Sequence, residues 1–272
     1  MVSNAPASFP RDPRLRSVAW RDLVRLSWWE RAWEVLLPTP WLALSLYFYG
    51  RGMWFVGVPC SFFFFLTGLR LSHNSQHNCL GLPRWGHDLS LFVIGTLMMA
   101  SGHAVQVTHL HHHRHCLEEE DIEGWPAKLP GWKVILAGPL FPWTLHRWAW
   151  RLGSRVKRRW IAAELLMVVG VAAGATALGW TGLRWHVAAM LAGEWLVGFF
   201  AVWTVHHGCD PHDGHEPRIA RTQRGWAKNV MTYSMLYHVE HHLFPAVPTC
   251  HLPELAERLD RAAPELSGLR VY

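Results

Sequence analysis

Two apolar stretches constrain this chain more than anything else in it. Residues 36–71 are almost wholly apolar and are interrupted at Gly50-Arg51-Gly52. Residues 160–205 repeat the arrangement, with the break at Thr181-Gly182-Leu183-Arg184. A helix needs about 20 residues to cross roughly 30 Å of hydrocarbon, and only helices or closed barrels satisfy their own backbone there. Each stretch is therefore predicted to be a hairpin of two spans, over residues 35–50 and 53–72, then 160–180 and 185–205. The breaks are too short for anything but tight turns. The expected fold is an all-α membrane protein of four transmembrane helices in two hairpins, with a cytosolic histidine-rich helical cap.

Composition agrees. Only 17% of the 272 residues are charged, and 18 are tryptophan, the residue of membrane–water interfaces. The net charge of +6 does not point to nucleic acid, because the basic residues cluster beside apolar segments, as the positive-inside rule places them. Arg147, Arg151, Arg155, Lys157, Arg158 and Arg159 form one such cluster, and six arginines within residues 1–31 form the other. No apolar signal-peptide core accompanies those six. The five cysteines show neither CxxC nor disulfide-framework spacing, so they are read as reduced or buried.

Residues 1–34 are predicted to be a polar, Pro-rich tail (1–13) followed by an interfacial helix over 17–34, where Arg, Trp and Leu recur at helical spacing. Residues 35–272 form the membrane domain. Its segment 88–107 is long enough to span, but a crossing there would put the histidines before and after it on opposite sides. It is read as interfacial or re-entrant. Residues 208–272 form the cap, with a short helix over 252–261. This topology puts the N-terminus, both basic clusters and every histidine group on the cytoplasmic side of the cytoplasmic membrane.

Nineteen histidines are the second unusual feature. Imidazole is the commonest neutral metal ligand. Four groups stand at segment ends: His73 and His77 as HxxxH; His109, His112 and His113 as HxxHH inside a run of five histidines; His206-His207; and His238, His241 and His242 as a second HxxHH. On a helix, i, i+3 and i+4 share a face, which selects His109, His112 and His113 and turns His111 and His115 away.

These residues, above all Tyr237-His-Val-Glu-His-His-Leu-Phe-Pro-Ala-Val-Pro248, resemble the integral-membrane fatty acid desaturase/hydroxylase superfamily with its three histidine boxes. The resemblance covers roughly residues 60–260. It implies two iron ions held by His73, His77, His109, His112, His113, His206, His238, His241 and His242, with His206 matching the histidine after the last span better than His207. It implies O₂ as cosubstrate, an acyl or lipid substrate, and electrons from a separate donor such as a ferredoxin or cytochrome. The ligand list alone does not choose iron over zinc, copper or nickel, but so many imidazoles exceed one four-coordinate ion.

Asp88, Asn229, Asp210 and Glu240 are candidates to orient ligating rings through their other nitrogen, as are Asn74, Asn78 and the acidic group 118–121. Glu194 lies mid-span, where an ionisable group is costly. At about 18 Å from His206 along the helix, it is expected on a substrate channel rather than on metal. His87, His103, His146, His186, His212, His215 and His251 fit no box and are expected to be structural or surface residues.

The preferred reading is a desaturase of an acyl or lipid chain. The alternative within the superfamily is a carotenoid ketolase or hydroxylase, or a lipid hydroxylase. A histidine-rich metal transporter is the rival class, though transporters place ligands near the bilayer midplane.

Overall fold

The computed structural model describes residues 13–210, 219–262 and 264. The tail expected over 1–13 lies outside them except for Pro13, and His212 and His215 lie outside as well. The described residues are helical, with no β-strand among them.

The interfacial helix is shorter than expected. α1 runs Trp28–Leu36, because Ser27 and Glu30 form a reciprocal capping box that starts the helix there. Trp28, Trp29 and Trp33 are exposed on it. α2 (Thr39–Gly50) and α3 (Trp54–Gln76) make the first hairpin, turning on Gly52 at φ 73°. The span expected over 35–50 is corrected here. Pro38 stands between α1 and α2 as the N-cap of α2, Pro40 lies in the first turn of α2, and α2 at twelve residues reaches only about 18 Å. α2 is pinned to α3 instead: the Tyr49 ring lies 2.5 Å from where a methyl group on Gly57 would stand, and Tyr49 Oη is 3.0 Å from Ser61 Oγ.

α4 (Arg84–Leu97) and α5 (Gly102–His115) meet at 110° across a short break. That geometry is a broken span or a re-entrant segment. Gly95 and Gly102 face each other at the bend, where a methyl group on Gly95 would stand 2.5 Å from Gly102 N. Two short helices follow, α6 (Gly131–Leu136) and α7 (Leu140–Leu152), which expose Trp132 and Trp143.

α8 (Arg155–Ala177) and α9 (Thr181–Val197) form the second hairpin. α8 turns apolar side chains outward, with Leu166 74% exposed, as a lipid-facing helix does. It begins at Arg155, so Arg155, Lys157, Arg158 and Arg159 belong to this helix, while Arg147 and Arg151 lie on α7. α9 continues through a π-helical turn, Gly198–Trp203, into α10 (Thr204–His206). By length and composition, α3, α8 and the continuous Thr181–His206 can cross a membrane, and the bent pair would make a fourth crossing if it is one span.

Glu164 of α8 ties the bend down. It accepts from Ser101 Oγ, from His103 N at 3.2 Å and from His103 Nδ1 at 2.7 Å. A carboxylate suits this position, the electropositive end of α5. His103 Nε2 faces Asp88 at 3.0 Å, and Lys157 joins Asp88 at 3.3 Å.

α11 (Trp226–Thr232), α12 (His238–Leu243) and α13 (Leu252–Ala262) complete the chain. Val18 and Leu23 pack with Tyr237, Val247, Leu255 and Leu259, so the N-terminal segment braces α12 and α13. Inside, Glu34 pairs with Arg70 and accepts from Asn74 Nδ2 at 2.8 Å, while Asn74 Oδ1 accepts from Thr249 N at 3.1 Å. This network locks α1, α3 and the segment after α12 together.

Candidate metal centre

Three helix ends and one short helix bring the histidines together. α3 carries its apolar run into Ser72-His73-Asn74-Ser75-Gln76 without breaking, so His73 and the C-capping His77 lie one turn apart, ring centroids 5.1 Å. α5 presents His109, His112 and His113 on its buried face. The π turn inserts an extra residue per turn just before His206. His206 thereby faces inward, while His207 stacks on Trp203 and donates to Ala127 O at 3.0 Å. α12 is six residues long, and His238, His241 and His242 on it are all buried.

The rings converge in two groups. In the first, His73, His77, His109 and His241 place one donor atom each within 4.8 Å of one another. His241 Nε2 is 2.9 Å from His73 Nε2 and 2.9 Å from His113 Nε2. His113 Nε2 is in turn 3.2 Å from His109 Nε2. In the second, His112, His206 and His242 stand with Cys116, and His238 Nε2 is 2.8 Å from His206 Nε2 and 3.0 Å from His242 Nε2.

Nitrogens this close fit ligands of a shared ion. With metal–nitrogen bonds of roughly 2.0–2.1 Å, neighbouring ligand atoms stand about 3.0–3.4 Å apart. A chain of imidazole–imidazole hydrogen bonds fits less well, because a neutral ring has one donor and one acceptor. His241 Nε2 meets two other Nε2 atoms, and His77 Nε2 is buried with no partner among the described residues. Burial, reinforced by the neighbouring rings, holds His238, His241 and His242 well below the usual imidazole range. Neutral rings are the ligating form. Cys116 Sγ stands in the second group and donates to Ile219 O at 3.5 Å; every other donor in the two groups is an imidazole nitrogen.

Three rings are oriented from behind. His112 Nδ1 donates to Asp121 Oδ2 at 2.8 Å, His109 Nδ1 to Glu123 Oε1 at 3.0 Å, and His206 Nδ1 to Ile219 O at 2.6 Å. Each bond leaves Nε2 facing the group. Burial alone would raise the Asp121 carboxyl, but the His112 ring and the N–H groups of Leu117 and Gly124 outweigh it and hold it at about 2. The acidic run just after the second box carried this signal for Asp121. Glu123 was missed although it stands two residues past that run, beyond Ile122, and the Ile219 carbonyl has no side-chain signature at all.

The other proposed orienting residues have different partners. Asp88 serves His103 and Lys157. Asn229 Nδ2 donates to Tyr237 Oη at 2.6 Å. Glu240 accepts from Thr222 Oγ1 at 2.7 Å and pairs with Arg224, which places it on the face of α12 opposite the metal-facing rings. Asn74 faces Glu34 and Thr249, as above. These groups position helices rather than rings. Asn78 takes φ 54° where the chain leaves α3, and Asp210 ends the described segment before 211–218.

A cavity of about 700 Å³ adjoins the first group. His73, His109, His238 and His241 stand on its wall, and it extends between α3 and α9 past Phe65, Leu69, Val197 and Glu194. No lysine or arginine lines it among the described residues.

Membrane-spanning helices that deliver two clusters of buried imidazoles to the end of an apolar cavity define a class of integral-membrane, histidine-ligated metalloprotein. The fatty acid desaturase family model matches residues 52–271, and the chain belongs to that family, within the membrane fatty acid desaturase/hydroxylase superfamily of oxidoreductases. It is also similar to the beta-carotene ketolase of Paracoccus sp. (strain N81106 / MBIC 01143), with 27% identity over 244 residues, covering 82% of this chain and 90% of the relative.

Proposed function

We propose that the protein is a diiron, O₂-dependent oxidoreductase that oxidises an unactivated C–H bond of a long apolar lipid taken from the bilayer. One ion would be held by His73, His77, His109, His113 and His241, and the other by His112, His206, His238 and His242. When bound, the pair supplies the reduction of O₂, using two electrons from a separate donor such as a ferredoxin or cytochrome. The observation that carries this reading is the shared wall: four of the proposed ligands line the cavity that would hold the substrate.

The chain's own residues do the rest. Asp121, Glu123 and the Ile219 carbonyl hold tautomers and ring angles. The apolar cavity wall excludes water and aims a chain at the metal end, and that aim decides between removal of a second hydrogen and insertion of oxygen. Desaturation of an acyl chain is the first reading. Ketolation of a carotenoid is the second, favoured by the activity for which the Paracoccus relative is named and by a cavity that no lysine or arginine lines among the described residues. The two-hairpin topology, with the site and the cap on the cytoplasmic side of the cytoplasmic membrane, follows from the basic clusters and goes with this proposal, as does a ring-orienting role for Asp210.

The test is expression in a host without such an enzyme, followed by mass spectrometry of lipids and pigments. A loss of two hydrogens identifies desaturation, and a gain of oxygen identifies hydroxylation or ketolation. Purified protein is expected to carry two irons per chain. Zinc alone at one per chain overturns the diiron reading.

A further inference from the structure

We propose that Glu194 is a specificity-determining residue, whose carboxyl receives a hydroxyl group of the substrate. This deepens the proposed function and rests on the cavity being the substrate site. Glu194 lies on α9 within the cavity wall, and no donor reaches its carboxyl among the described residues. Its neighbour Trp195 fixes the rotation of the helix: the indole Nε1 donates to Ile135 O at 2.7 Å on α6. The carboxyl is thereby left to the cavity. The other carboxyl on that wall, Glu123, accepts from His109 through Oε1 at the metal end of the cavity, leaving only its Oε2 without a partner among the described residues. The hydroxyls of Tyr49 and Ser61, also on the wall, bond each other.

An unpartnered carboxyl in an apolar site costs free energy that a ligand group can recover. The chemistry selects that group. A hydroxyl both donates and accepts, so it satisfies a carboxylate and a carboxylic acid alike. A ketone satisfies only the acid, an alkane neither, and a cationic amine must itself be desolvated at this depth. Two rulers set the spacing. Glu194 is about 18 Å from His206 along the continuous Thr181–His206 helix. A methyl group on the adjacent Gly193 would lie 2.5 Å from the Phe65 ring, and Phe65 is about 12 Å from His73 along α3. The substrate class is therefore a long uncharged lipid alcohol with its hydroxyl roughly 12–18 Å from the metal end.

The test uses full-length, metal-loaded protein in detergent, with hexadecan-1-ol and hexadecane as probes and the concentration-dependent rise in Tm as the readout. Wild type is expected to bind the alcohol about tenfold more tightly than the alkane. Glu194→Leu is expected to erase that preference while still binding the alkane, and Glu194→Gln to retain it. Equal affinity of wild type for both probes overturns the proposal, as does a preference that survives in Glu194→Leu. If Glu194→Leu does not fold, the wild-type comparison decides alone. Metal content and turnover measured on the same preparations report on the diiron reading separately.

Discussion

The histidines of this protein divide into two populations, and their neighbours tell them apart. In the boxes, ring nitrogen faces ring nitrogen at 2.8–3.2 Å. Outside the boxes, His103, His146, His186 and His251 each turn at least one ring nitrogen to a carboxylate or to the backbone. His103 lies between Glu164 and Asp88. His146 donates to Pro142 O and accepts from Ser101 N. His186 donates to Leu97 O, and His251 bridges Leu23 O and Glu30. Both populations are largely buried, so burial does not separate them. A ring held by acceptors already has a hydrogen-bonding partner. In the boxes the Nε2 atoms face one another even where Glu123, Asp121 or the Ile219 carbonyl holds Nδ1, and nitrogens so placed need a shared cation, which is the physical difference between a brace and a ligand.

The largest test of this division is loss of chemistry. His112→Ala or His241→Ala is expected to abolish oxidation and lower the iron content while membrane insertion persists. His111→Ala, whose ring lies beside His115, is expected to be mild. Equal losses in all three would erase the division, and iron analysis with product assay reads it.

A brace should fail differently. His103→Leu leaves Glu164 and Asp88 facing each other across the bend, which costs about 3–5 kcal/mol for a broken buried pair. Unfolding in mixed detergent is expected to show that loss, with iron per folded chain unchanged.

The carboxylates behind the boxes stand between the two kinds. Asp121→Asn or Glu123→Gln is expected to weaken metal binding about 10–100-fold, measured by competition with a chelator, without changing the helix content.

The smallest effect lies at α1. Ser27→Ala removes a cap worth about 0.5–2 kcal/mol. The Ser27 hydroxyl and the His251 ring hold the Glu30 carboxyl at about 2. A carboxyl depressed on folding adds stability that is complete above its unfolded value of about 4.3 and fades as pH falls toward 2. Thermal scans from pH 5 downward are expected to show wild type and Glu30→Gln converging, and a gap that widens with acid contradicts the pairing.

Much of this was legible in the residues. The Gly50-Arg51-Gly52 break marks the turn at Gly52, whereas the second turn falls at Gly179, ahead of the expected break at 181–184, which forms the first turn of α9; HxxxH and HxxHH spacing picked the inward rings because helical period is local. His103 was placed outside the boxes, where the structure has it. The Glu164 that holds it was not foreseen, because it lies 61 residues away inside a helix otherwise read as lipid-facing. The first span was expected to be too long, since apolar composition outweighed Pro38 and Pro40 in that reading. Asp88, Asn229 and Glu240 were matched to the wrong partners: a polar side chain near a box in sequence does not say which face of its helix it occupies.

The sequence by itself determined that the chain lives in a membrane, that its helices carry histidines on shared faces, and which rings those are. Periodicity and hydropathy are properties of a few consecutive residues, so they survive without a fold. The tertiary structure decided the rest. It sorted the rings into two groups, turned His206 inward through a π turn, set Asp121 and Glu123 behind the second box, and left Glu194 facing an apolar cavity. Each of these depends on segments up to 168 residues apart, as with His73 and His241, whose meeting is set by helix packing rather than by spacing along the chain.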